Sequence, residues 1–324
     1  MKKLIALLLG AMLVLTMASA ASAEGEKDIY VIIKGIGNAY WSILQEGAEK
    51  AGEDFGANVT ILGIPNEVDI EIQLGYLQNA VSAQADAIVI AVADSKAQAN
   101  AVSDAFQSGI PIVIIDTKAE TDDYSVALLT NNIEAGRLAA AELIAKLSNK
   151  ITEDDYAEIA MQIGSAGSMT ILLRMEGFEA YWAEYAPENW VLLLDDVKVN
   201  DGDISKAVQF GLDFLTAYPE LKGFFSPNNG STVGFATALA ETGRTDMTMV
   251  GFDFSPEMEA IVRDENFNVA TMLQRQYMMG YDGVRLAIEL ADGGVVEPKD
   301  QDTGVIAVDI DNVDSDAVKA ATGR

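Results

Sequence analysis

The chain has 324 residues, of which 50% are hydrophobic and 22% charged, proportions that suit a folded chain of two domains and exclude a disordered or fibrous one. It contains no cysteine and no histidine, which excludes disulfides, thiolate nucleophiles, Cys/His zinc sites and every mechanism that needs an imidazole base. With 50 Asp and Glu against 21 Lys and Arg the formal net charge is −29, so the surface repels nucleic acid and anionic lipid.

Lys2 and Lys3 are followed by an apolar run from Leu4 to Met17, broken only by Gly10 and Thr16, and then by the small residues Ala21-Ser22-Ala23. This order predicts a secretory signal peptide over residues 1–23. The run falls short of the roughly 20 apolar residues that a membrane anchor needs. No cysteine follows it to carry a lipid, and no second long apolar run is present. An exported, soluble protein is expected, periplasmic or extracellular.

From Ile29 onward, short apolar runs alternate with amphipathic stretches. Strands are expected at Ile29–Ile33, Val59–Gly63, Ala87–Ala91, Ile112–Ile115 and Val126–Leu129, with helices from about Tyr40 to Phe55, Asp69 to Ala83 and Ala97 to Gln107. A long Ala/Leu-rich helix follows. The rhythm then restarts at Glu158–Ile163 and continues through Val191–Leu194, Lys222–Phe225, Met247–Phe252 and Val269–Leu273. Near-continuous apolar strands separated by helices indicate parallel sheets covered on both faces. Two such series predict two similar doubly wound α/β lobes.

In open parallel sheets, ligands bind beyond the carboxyl ends of the strands. The first strand end is followed by Asn38, Tyr40 and Trp41, and the fourth directly by Asp116. The second series supplies Arg174 just beyond Ser165-Ala166-Gly167-Ser168, then Asn228, Asp253 and Gln274. Carboxylates, amides and a guanidinium can hydrogen-bond vicinal hydroxyls, and an aromatic face can cover the apolar face of a ring. This inventory suits a polyhydroxylated ligand. Each residue has a plainer alternative. Tyr40 and Trp41 could staple a helix to the core, Asp116 and Asp253 could cap helices, and Asn228 with Asn229 could serve a turn. Arg174 could form a solvated ion pair with Glu176 or Glu179. Gly35-Ile36-Gly37 falls short of a dinucleotide fingerprint, because Tyr40 occupies the third glycine position. Asp309–Asp316 departs from a calcium loop at Val313 and Asp314, and reads as a solvated acidic end.

Several segments in combination, among them GNAYWSILQEGAEKAGEDFG, GIPIVIIDT, GSAGSMTILLRMEGF, the NNGSTVG helix start and MVGFDFSPE, resemble the periplasmic binding proteins of the ribose/galactose type. These are the sugar-binding subunits of ABC importers, and the resemblance spans nearly the whole chain after the leader. It implies two α/β lobes joined by a three-crossover hinge, one made of residues 24–129 and 276–303, the other of 130–275 and 304–324. It implies a monomer without cofactor or metal that captures a small sugar or polyol by closing its lobes, without catalysing a reaction, and delivers it to a membrane permease driven by an ATPase. Docking on a chemoreceptor or sensor kinase is the other role such proteins take. By position, the ring-stacking aromatics fall on Tyr40 and Trp41 and the first-lobe amide and carboxylate on Asn38 and Asp116. The second-lobe groups fall on Arg174, Asn228, Asp253 and Gln274.

Three positions depart from the ribose pattern. Ala91 stands for an asparagine, Thr117 for an arginine and Gly202 for an aromatic residue. A roomier, less polar cleft and a ligand other than ribose are expected. The enzymatic alternative is a glycosidase using Asp116 and Asp253 as its carboxylate pair. A sugar-responsive repressor is excluded, because the leader stands where a DNA-binding helix-turn-helix would be.

Overall fold

The computed structural model describes residues 26–322; the leader expected over residues 1–23 lies outside them. A first sheet holds β1 (Asp28–Ile33), β2 (Asn58–Gly63), β3 (Ala87–Ile90), β4 (Ile112–Ile115), β5 (Val126–Leu129) and β12 (Asp300–Asp302). Its order is β2-β1-β3-β4-β5-β12, with every neighbouring pair parallel. A second sheet holds β6 (Ala157–Ile163), β7 (Trp190–Leu192), β9 (Leu221–Phe225), β10 (Thr248–Phe252), β11 (Asn268–Gln274) and β13 (Val305–Val308). Its order, β7-β6-β9-β10-β11-β13, repeats that of the first, with only the β11–β13 pair antiparallel. The short β8 (Lys198–Val199) pairs in parallel with the end of β6. The fold is the expected pair of doubly wound α/β lobes.

Period-two burial explains why each sheet is covered on both faces. Ile29, Val31 and Ile33 enter one core with α1 (Ala39–Phe55) and α9 (Gln276–Ala291). Ile32 enters the opposite core, with α2 (Ile70–Ser82) and α3 (Ala99–Gln107). In the second lobe, Met161, Phe225 and Phe252 face α4 (Asn132–Ser148) and α5 (Met169–Tyr185). Ala160, Phe224 and Met249 face α6 (Ile204–Ala217), α7 (Asn229–Thr242), α8 (Pro256–Val262) and α10 (Asp316–Thr322). The strand expected at Val191–Leu194 ends at Leu192, because Leu194–Asp196 forms a 3-10 turn; β8 and the first helix of that stretch come later.

The chain passes between the sheets after β5, after β11 and between β12 and β13. Thr130 lies at the first passage, Gln274 at the second and Thr303 at the third. The Thr130 hydroxyl donates to Gln274 Oε1 at 2.8 Å and lies 3.3 Å from the Thr303 hydroxyl. Among the described residues, no helix is long and apolar enough to cross a membrane. The acidic segment 309–316 is held by ion pairs, Asp309 with Lys146 at 2.8 Å and Asp314 with Arg263 at 2.8 Å.

In each lobe one helix pair meets backbone to backbone at glycines. A Cβ on Gly177 of α5 would sit 2.0 Å from the Ile133 carbonyl, and one on Gly136 of α4 2.0 Å from that of Arg174. Gly47 and Gly280 make the same reciprocal approach between α1 and α9. Gly177→Ala is therefore expected to destabilise the protein by about 1–3 kcal/mol in chemical denaturation. Gly75→Ala, in α2 with nothing within 4 Å of the added methyl, should be neutral or stabilise by up to about 1 kcal/mol.

Candidate ligand-binding site

The strand order reverses between β1 and β3 in one sheet and between β6 and β9 in the other, and a crevice opens at such switch points. The two crevices face each other. Between them lies one cavity of about 30 Å³, lined by Asn38, Tyr40, Trp41, Asp116, Arg174, Asn228, Asp253 and Gln274, all eight residues singled out from the sequence. Lys34, Glu67, Thr170, Ile171 and Asn229 complete the lining.

Asp116 and Asp253 occupy the same place in the two lobes, just after β4 and β10, and both have positive φ, 56° and 71°. Left-handed backbone at a residue with a Cβ costs about 1–2 kcal/mol, so two such residues at matching strand ends mark a constraint of the site. Neither caps a helix: the start of α8 is capped by Ser255, whose Oγ accepts from Met258 N. Asp116 accepts from the Tyr40 hydroxyl at 2.8 Å and the Thr117 hydroxyl at 2.6 Å, and pairs with Lys34 Nζ at 2.9 Å. Burial opposes its ionisation, but Lys34 and then Arg174 outweigh burial and hold its carboxyl below the usual range. Burial, reinforced by Asp116, raises the Tyr40 hydroxyl well above its ordinary value.

Arg174 is 2% exposed, so it forms no solvated pair with Glu176 or Glu179. Its Nε donates to Asn132 Oδ1 at 2.8 Å, Nη1 to the Pro227 carbonyl at 2.8 Å and Nη2 to Gln274 Oε1 at 2.7 Å. The guanidinium carbon lies 4.1 Å from the Phe252 ring centre. Gln274 turns its amide toward the carboxylate, Nε2 donating to Asp253 Oδ1 at 2.6 Å. Burial pushes the Asp253 carboxyl up to about 6, against the lowering effects of Arg174 and of the Gln274 hydrogen bond.

The amides and aromatics have double duties. Asn38 accepts from Trp41 N at 3.3 Å as the N-cap of α1, and Asn228 accepts from Gly164 N at 2.9 Å and from the Ser231 hydroxyl at 2.7 Å. Tyr40 and Trp41 belong to the first-lobe core and also line the cavity, their rings edge to face with centres 4.8 Å apart. Helix stapling and cavity lining are one arrangement here, not alternatives.

Two charged side chains that the sequence reading did not single out, Lys34 and Glu67, also line the cleft. Lys34 fills the space beside Thr117, its Nζ donating to the Thr117 hydroxyl at 2.7 Å. Glu67, 9% exposed, leans toward Gly202, where an added Cβ would lie 3.1 Å from its Cγ. Burial raises the Glu67 carboxyl, opposed by Lys34. Lys34 was legible in principle, since it is the first residue after β1. Glu67 sits in a turn between β2 and α2 and gave no periodic signal.

Residues 29–294 match the pattern of the family described as periplasmic binding protein domain. A ribose import binding protein of Salmonella typhimurium is 28% identical over 299 residues, covering 92% of this chain and 96% of that protein. A carbohydrate transporter solute binding protein from Agrobacterium radiobacter, solved in complex with D-arabinose, is 29% identical with a TM-score of 0.86, covering 93% of this chain and 100% of the other. An ABC transporter solute binding protein from Agrobacterium vitis with bound D-fucose is 30% identical with a TM-score of 0.82, covering 90% and 98%. With two like lobes meeting at their strand ends and a family match across most of its length, this chain belongs to the periplasmic binding protein family.

Proposed function

We propose that the protein is the exported solute-binding component of an ABC importer that captures a monosaccharide or polyol between two closing lobes and passes it to a membrane permease served by an ATPase. The observation that carries this reading is the buried cavity between the lobes, lined by donors and acceptors from both. Hydroxyls of the ligand would take the places that these groups now fill for one another. Asp116, Asp253 and Glu67 accept, Arg174, Lys34 and the amides of Asn38, Asn228 and Gln274 donate, and Tyr40 and Trp41 cover the ring. Residues 24–129 with 276–303 move against 130–275 with 304–324. Capture is binding without chemistry: ligand contacts that exist only in the closed form shift the equilibrium between open and closed lobes.

A thermal-shift panel of D-ribose, D-allose, D-arabinose, D-fucose and simple polyols tests the reading. A true ligand at about 100 times its dissociation constant adds roughly 2.7 kcal/mol, seen as a rise of several degrees. A flat response across sugars and polyols would overturn it.

Asp253 supplies a pH signature. A carboxyl whose pKa is raised on folding holds its proton more tightly in the native state. Its contribution to stability is therefore complete below the unfolded value and is lost as pH rises through about 6. Relative to Asp253→Asn, the wild type should lose about 1–3 kcal/mol of unfolding free energy between about pH 4 and about pH 7. Sugar affinity runs the other way, since ionised Asp253 is the better acceptor. Calorimetric titrations should find binding strengthening as pH rises through about 6 in wild type, with a flatter profile and at least about 2 kcal/mol weaker binding near neutrality in Asp253→Asn.

A further inference from the structure

We infer that Ser95, outside the ligand cavity, is a positioning residue that couples lobe closure to the helix carrying Arg174. Ser95 follows β3 in the first lobe and is 1% exposed, and its carbonyl is held within that lobe by Glu120 N at 2.7 Å. Its Oγ accepts from Met169 N, the first residue of α5 in the second lobe, at 3.1 Å. Its own N–H donates to the Gly167 carbonyl at 3.0 Å. A helix start leaves its first N–H groups without partners inside the helix, and a side-chain oxygen normally meets one of them. Asn38, Asn131, Asp203 and Ser255 do this for α1, α4, α6 and α8, whereas the residues before α2, α3, α7 and α9 do not. Ser168, at the corresponding place before α5, does not; its Oγ is buried and unpartnered. The other lobe supplies the cap.

One residue further on, the contact continues. The Thr170 hydroxyl donates to the Asp116 carbonyl at 2.9 Å and lies 2.9 Å from that of Thr117. Close packing leaves no slack: a Cβ on Gly167 would stand 2.1 Å from Asp94 Oδ2. Parting the lobes breaks both Ser95 bonds and uncaps the first turn of α5. Closure and the seating of that turn, with Arg174 beyond it, are thus one event. The cap favours the closed state without touching the ligand, and so raises affinity, by at most the factor by which it shifts the open–closed equilibrium.

The affinity part of the test rests on the sugar-binding reading; a distance measurement does not. Because the chain lacks cysteine, spin labels on Glu71→Cys and Ser205→Cys, both exposed and on opposite lobes, report the cleft opening on a clean background. Ser95→Ala in this background should shift the distance distribution toward longer separations. It should also weaken binding of whichever of D-ribose, D-allose, D-arabinose or D-fucose the wild type holds most tightly, by roughly three- to ten-fold. Unchanged distances would overturn the inference, even with a lower melting temperature, since that is the mark of a purely structural serine. Affinity loss without a change in distance would also overturn it. If no sugar binds the wild type, the proposed function falls, and the distances alone still decide the role of Ser95.

Discussion

A buried guanidinium must have its donors met, and much of the organisation of this protein follows from meeting those of Arg174. Its three acceptors come from three separate segments: the start of α4, the loop after β9 and the last residue of β11. Two of these segments adjoin passages of the chain between the sheets. The helix that carries Arg174 must approach α4 closely enough for Asn132 to reach it, and the reciprocal contacts of Gly136 and Gly177 permit that approach. Core packing, chain passage and cleft chemistry thus meet in one side chain. The guanidinium has donor capacity beyond these three bonds, which suits a group shared between the scaffold and a ligand.

Much of this was legible in the sequence because buried parallel strands leave a strong mark. Ile112–Ile115 and Val126–Leu129 begin and end where their apolar runs do. The residues that follow the strands could be picked out because ligand groups in such folds gather at one edge of the sheet. What escaped is also physically intelligible. Strand β12 is Asp-Gln-Asp, held in place by backbone pairing with β5 and without an apolar signature. Glu67 lies against Trp41 and Gly202, residues distant in sequence, so its burial leaves no local mark. Arg174 lies near two glutamates in sequence and pairs with neither, because the face of α5 that carries it is turned inward.

Short residues in this cleft stand beside long charged ones. Thr117 is short and neutral, and Lys34, from the end of β1, brings an ammonium to Asp116 and to the Thr117 hydroxyl. Gly202 lacks a side chain, and Glu67 occupies the volume from the facing lobe. Three carboxylates and two cations share a small, buried volume, and each burial penalty is tolerable only while the partner groups stay in register.

The hydroxyls of Thr130 and Thr303 and the side chain of Gln274 tie the three chain passages together at a single point. A joint fastened there behaves as a pivot with a long arm. Rotation of a few degrees barely moves atoms near the fulcrum, yet displaces the tips around Glu67 and Gly202 by ångströms. Gln274 stands at the fulcrum and also bonds both Arg174 and Asp253, so a small change felt by these cavity-lining groups would be geared into a wide sweep at the mouth.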